Sequence, residues 1–261
     1  MFFFNGLLYS ALAAIMWGCI QVIYFKNLDH IPPLEIVTHR GIWAFFFFIV
    51  LIAFKKKFIN YYSIFKDKKK IIYLSISAIL VSSNWLLFIL SISINKVHDA
   101  AMGYFISPIL SVGFGYLIFN ESLSKIQILA LFLILFSILN LIINLGSIPW
   151  IALSLAITWS LYGVLRKKIN VDSDVGLLFE TSFLFPFLFI YLIFINNNGN
   201  SYFKTDDIQS IIFLIGAGFV TAIPLFFFNI GVKMIPLSLA GIIFYLVPTL
   251  QFLTSIIYLG E

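Results

Sequence analysis

The chain has 261 residues, of which 62% are hydrophobic and only 10% charged, with a formal net charge of +5. A water-soluble domain carries about 25% charged residues, so this composition excludes a soluble enzyme or binding module and makes the bilayer the solvent. The single cysteine, Cys19, excludes a disulfide framework and a thiolate metal cluster.

A membrane-spanning helix needs about 20 apolar residues, and nine runs approach or meet that length. The first (7–25) has no Lys or Arg before it and continues well past its "ALA" triplet, so it reads as an uncleaved helix. The second (33–54) carries Glu35, His39 and Arg40 near its start. The loop "KKKFINYYSIFKDKKK" (55–70) holds seven lysines and leads into the third run (71–93), which contains Ser82, Ser83, Asn84 and Trp85. The fourth (97–119) has Pro108 in its interior, and the fifth covers 125–144. The sixth (148–165) ends in "RKK" (166–168), and the seventh (174–195) carries Glu180 near its start. The eighth (208–232) carries Asn229, and the ninth (236–259) contains Pro248.

Basic residues gather in the short loops that stay in the cytoplasm. Placing the lysine loop there puts Lys55, Lys56, Lys57, Lys66, Lys68, Lys69, Lys70, Lys125, Arg166, Lys167, Lys168 and Lys233 inside, twelve in all, against Lys26, Lys96 and Lys204 outside. The N-terminus is therefore expected in the cytoplasm. Contact with anionic membrane lipids follows as a secondary effect. No groove-reading motif accompanies the lysines, so no nucleic-acid partner is expected.

The chain repeats itself. A shift of 140 places Ala100 on Ala240, Tyr104 on Phe244, Pro108 on Pro248 and Glu121 on Glu261, and a shift of 142 places Trp17 on Trp159. The repeated unit has five spans, an odd number, so the second copy is expected upside down: 1–145 forms one half and 146–261 the other. Inverted repeats are a signature of secondary transporters, with substrate held near the midplane between the copies. Matching Gly/Pro-interrupted spans point to that site, which selects the spans of Pro108 and Pro248. Each proline deprives the carbonyl four residues back of its partner, here those of Tyr104 and Phe244. Two readings stand: a kink packed on neighbouring helices, or a backbone opened toward a wet cavity.

"THRGIWAFFF", "SSNWLLFILSI", "GYFISPIL", "FNESLSKIQ", "LYGVLRKKI" and "PTLQF" together resemble the EamA branch of the drug/metabolite transporter superfamily, over essentially the whole chain. The resemblance implies an all-α polytopic protein of the bacterial inner membrane, with two inverted five-helix halves. It also implies alternating access, and export of a small metabolite or drug. Ten helices are implied, whereas nine are expected before the sequence stops at Gly260-Glu261. The expected alternative is therefore a non-transporting truncated remnant. An integral-membrane enzyme is a further alternative, although no nucleophile motif, metal-ligand spacing or cofactor fingerprint is present.

Ionisable residues inside a span are expensive there and mark candidate sites. Arg40 lies roughly 10 Å into its helix at 1.5 Å per residue, and Glu180 occupies a nearly equivalent place in the other half. Arg40 is expected to meet an anionic substrate group or a carboxylate, and Glu180 or His39 to take up a coupling proton. The competing reading is a snorkelling Arg40 beside a Glu35–His39 helical pair. Trp17 and Trp159, with Gln21 and Tyr162 within a turn of them, either wall a central cavity or simply pack. Asn84 and Asn229 either line that cavity or hydrogen-bond a neighbouring helix. Tyr104 and Phe244 complete the expected substrate-binding set.

Overall fold

Among the residues described in the computed structural model of the chain (2–94, 97–145, 149–204, 207–254 and 257), every regular element is a helix. Helix α1 (Phe2–Ile15) runs through a π-helical turn (Met16–Ile20) into α2 (Gln21–Lys26), and together they form one span. Helix α3 (Pro33–Phe54) opens with proline, whose missing N–H is no loss in a first turn. The lysine loop contains a short helix, α4 (Phe58–Ile64). Then come α5 (Lys68–Ser93), α6 (Val97–Phe119), α7 (Lys125–Leu145), α8 (Trp150–Lys168), α9 (Ser173–Asn197) and α10 (Ile208–Met234). The ninth run is split at Tyr245 into α11 (Leu237–Phe244) and α12 (Leu246–Thr254).

Among the described residues all nine apolar runs are helical, and seven of them, not nine, are long and apolar enough to cross a membrane. Of the other two, α7 is as apolar as the spans, its described apolar stretch being Lys125–Ser137, and α8 falls short in apolarity. In α8 the last turn is Arg166, Lys167 and Lys168, and its body carries Ser154, Thr158 and Ser160. Most of this helix is covered by protein: it packs on α5, α6 and α10, and Leu155, Ala156, Tyr162 and Arg166 are fully buried, with Trp150 and Ile157 left exposed. A helix sheathed by other helices does not need a lipid-compatible surface. Helix α7, by contrast, packs mainly against α6 and leaves Ile126, Phe132, Phe136 and Ile143 exposed.

The main contacts come in pairs. Helix α1 packs on α10, and α8 packs on α5. Helix α6 lies along α8, while α1 and its π turn lie along α11 and α12. Helix α3 meets both α9 and α10, and α5 meets α9 in turn. Each contact thus has a counterpart with the two halves of the chain exchanged. At the centre α6 crosses α11, where a Cβ on Gly241 would stand 2.8 Å from the Ser111 Cβ and 3.1 Å from the Pro108 carbonyl oxygen. Only glycine permits that approach.

The two repeat-related prolines behave differently, which corrects the expectation of two matching breaks. Helix α6 runs unbroken through Pro108. There the neighbouring Ser107 hydroxyl donates to the Gly103 carbonyl at 2.9 Å, and the Ser160 hydroxyl donates to the Ser107 carbonyl at 2.9 Å. These bonds tie the helix down on either side of the proline, although neither goes to the Tyr104 carbonyl that Pro108 deprives. Pro248 instead falls in the first turn of α12, directly after the break at Tyr245. A proline in a first turn removes no intrahelical bond. The repeat partner of Glu121, Glu261, lies outside the described residues.

Candidate functional site

Seven of the expected binding residues, Trp17, Gln21, Arg40, Asn84, Tyr104, Trp159 and Phe244, line one cavity between the halves. Trp85, Phe88, Val247 and Gln251 complete its wall. The open space among them is only about 30 Å³, room for a water or two. Anything larger requires the walls to part.

The aromatic wall is built from repeat-related positions. Trp17 meets Trp159 edge-on at 5.1 Å, and Trp159 stacks on Phe244 at 5.2 Å and tilts against Phe228 at 4.8 Å. Tyr104 touches Phe88 at 5.7 Å and Phe244 at 6.0 Å. Trp17 reaches the centre because the helix widens by one residue beside it: the Gln21 amide bonds back to the Met16 carbonyl. Such π turns occur mostly at functional sites. The turn also brings Gly18 so close to α12 that a Cβ there would sit 2.5 Å from the Leu250 Cβ.

Arg40 is 2% exposed. Its Nε donates to the Thr221 hydroxyl of α10 at 2.9 Å, and its guanidinium lies over the Phe25 ring at 4.7 Å and the Trp85 ring at 5.1 Å. Its Nη1 has no hydrogen-bond partner. It therefore does not snorkel, nor does it pair with a carboxylate among the described residues. Glu35 is held elsewhere, accepting from the Ser201 hydroxyl and the Tyr202 amide, both at 2.8 Å. The Glu35–His39 pair of the competing reading is absent as well. His39 accepts from the Trp43 indole at 3.2 Å and stacks on Phe203 at 4.8 Å, away from the cavity. Asn84 does both things expected of it: it lines the cavity and donates to the Leu155 carbonyl and the Thr158 hydroxyl at 3.0 Å each.

The remaining three expected residues form a second, separate cluster. Glu180 accepts from Arg166 Nη1 at 3.1 Å, from the Tyr162 hydroxyl at 3.3 Å and from the Ser77 hydroxyl. Asn229 donates to the Tyr162 hydroxyl at 2.8 Å and accepts from Arg166 Nε, while Arg166 Nη2 reaches the Ser173 carbonyl at 3.1 Å. Arg166 and Glu180 are 0% and 1% exposed as side chains. The cluster joins α5, α8, α9 and α10 at the end of the bundle that carries the lysines. Just beyond it Lys55 binds Asp174 and Lys57 binds Asp172, each at 2.8 Å.

Arg166 is the residue that sequence reasoning missed. It reads as one of three loop charges, yet it lies seven and four residues after Trp159 and Tyr162, on their helix face. That spacing is the signal that identifies it. Gln251, a lone amide in an apolar span, carried a similar signal. Thr221 and Ser77 carried none, since small hydroxyls are common in membrane helices.

The model of the EamA-like transporter family matches twice, over residues 4–143 and 147–261. The chain is 36% identical to the protein RarD of Escherichia coli (strain K12), over 98% of this chain and 86% of that one. It is 38% identical to an uncharacterized transporter of Vibrio cholerae, over 98% and 85%, and 32% identical to the uncharacterized transporter YojE of Bacillus subtilis, over 98% and 86%. A solved crystal structure superposes with a TM-score of 0.73 at 15% identity, over 98% of this chain and 88% of that chain, a likeness of fold alone. These names point to transport rather than catalysis. With the family model matching almost end to end and relatives above 30% identity along nearly the whole length, this multi-pass membrane protein belongs to the EamA-like transporter family.

Proposed function

We propose that the chain is a secondary transporter of the bacterial inner membrane that exports a small metabolite or drug through the Trp17–Trp159 cavity. One observation carries this reading: repeat-related aromatics and a buried arginine converge on a single cavity where the halves meet. The halves are 1–145 and 146–261, a division supported by the double family match and by the paired packing. The N-terminus is cytoplasmic, on the side of the lysine loop.

In this conformer the Arg166–Glu180 cluster closes the lysine-bearing end, and access from that side requires its helices to separate. Of the two groups expected to take up a coupling proton, Glu180 is bonded to two neighbouring helices, α5 and α8, whereas the hydrogen bond of His39 stays within its own helix and its ring stacks on Phe203. Protonating Glu180 removes the charge that holds Arg166, which links proton uptake to opening. Tyr162 and Asn229 serve this latch rather than the substrate.

The test uses purified protein in proteoliposomes loaded with a bacterial metabolite extract. A transporter releases a defined, saturable subset of solutes by counterflow and stops when Trp159→Ala widens the wall. Equal leakage with and without protein would sink the reading, and a new product inside the vesicles would favour an enzyme.

A further inference from the structure

We infer that the cavity selects an organic monoanion, a carboxylate on a flat apolar body. The inference rests on the transport reading for the site's use, and on the cavity's chemistry for its choice of ligand. Arg40 is a buried guanidinium with one nitrogen, Nη1, lacking any partner, and it belongs to the cavity wall. A buried cation without a counterion is costly, and a guanidinium's fork of N–H donors matches a carboxylate two bonds at a time. No Asp or Glu belongs to the described wall to supply that counterion. Among the described side chains, Glu35 on the same helix is committed to Ser201 and Tyr202, and Glu180 belongs to the separate cluster of Arg166. The missing negative charge must therefore arrive with the ligand.

The rest of the wall sets the ligand's body. Trp17, Trp159 and Phe244 offer flat apolar faces, and Gln21, Asn84 and Gln251 offer neutral amides. With no acidic residue to receive an ammonium, a cationic amine is not matched. A phosphate monoester carries about −1.5 to −2 charges, and the wall provides one cation where such a group calls for more. A singly charged carboxylate balances Arg40.

The experiment uses the full chain in nanodiscs and reads tryptophan fluorescence, because Trp17, Trp85 and Trp159 line the cavity. The probes are 3-phenylpropanoate, its amide, 3-phenylpropylamine and phenyl phosphate. The acid is expected to quench saturably and to bind about tenfold or more tightly than the other three, the scale of a charge-assisted hydrogen bond. Arg40→Gln should erase that preference, and Arg40→Lys should retain part of it. If Arg40→Gln does not fold, the ranking of probes on the unmodified protein decides.

Amide or amine binding as tightly as the acid, a tighter phosphate, or an Arg40→Gln variant that keeps the preference overturns the monoanion assignment. So does the absence of saturable quenching by any probe. Counterflow of extract solutes is read independently in proteoliposomes, so the transport reading stands or falls separately.

Discussion

Arg166 and Glu180 form an ion pair with almost no access to water, and such pairs are worth most when one member is lost. Removing one leaves an uncompensated buried charge, at a cost of about 3–5 kcal/mol. Arg166→Met is accordingly expected to lower thermal stability in detergent far more than the double change Arg166→Met with Glu180→Leu, as read by unfolding temperature. Equal losses in both would remove the pair from the stabilising set. A second residue titrates outside the spans. Burial pushes the Glu121 carboxyl up, but the amides of Ser238 and Leu237, with Lys167 beside them, outweigh this and hold it below its usual range. Its stabilising effect is full above the unfolded value of about 4.3 and is lost as the pH falls through the folded one. The stability gap between the unmodified protein and Glu121→Gln should therefore be widest near neutrality and close on acidification. A gap that is constant with pH would contradict the cap. The amino-acid sequence showed Glu121 as half of a repeat, but not that it caps α11 of the opposite half, because that contact joins residues more than a hundred positions apart.

Among the elements, the two prolines were visible as a pair and turned out unequal. Pro248 lies just past a break, while Pro108 sits in a continuous helix. The spacing in sequence is the same, and the surroundings differ: Ser107 and Ser160 bond beside Pro108, while the helix is already broken at Tyr245 before Pro248. Pro248→Ala lets α11 and α12 fuse, and we expect it to slow counterflow while leaving ligand quenching intact. Pro108→Ala should change counterflow much less. A larger effect at Pro108 would place the moving joint in α6. The π turn at Met16–Ile20 left no mark in composition or periodicity. Its only trace was Gly18, one glycine in an apolar run, and the need for glycine comes from α12 packed against it. Gly18→Leu is expected to push α12 away from the turn, lowering the yield of monodisperse protein and disordering Trp17.

Across the whole molecule, twelve cationic residues on one side against three on the other predict the topology. With Cys19→Ser as background, a cysteine introduced by Lys204→Cys should react with an impermeant maleimide added to intact cells, and one introduced by Lys57→Cys should not. The reverse pattern would invert the protein and with it the assignment of the closed end. Nine helical runs were legible because the bilayer demands length and apolarity. One of them, α8, is too polar to count as a span for a reason no run-by-run reading contains: most of it is covered by its neighbours. Helix α7, by contrast, is apolar and meets little protein, the surface of a helix that faces lipid.

The chain by itself determined that it lives in a membrane, which way its loops are charged, and that its two halves echo each other. Those properties follow from local composition and from residue spacing, both of which survive without a fold. Tertiary structure alone decided that Trp17, Arg40, Asn84 and Phe244 share one cavity while Tyr162, Asn229 and Glu180 do not. It also decided that the ion partner of Glu180 is Arg166, a residue that the sequence presents as a loop charge. Partnership in a helical bundle depends on the rotation and crossing of helices, and those are set by small contacts such as Gly241 on Pro108 rather than by the hydrophobic pattern that inserts each helix.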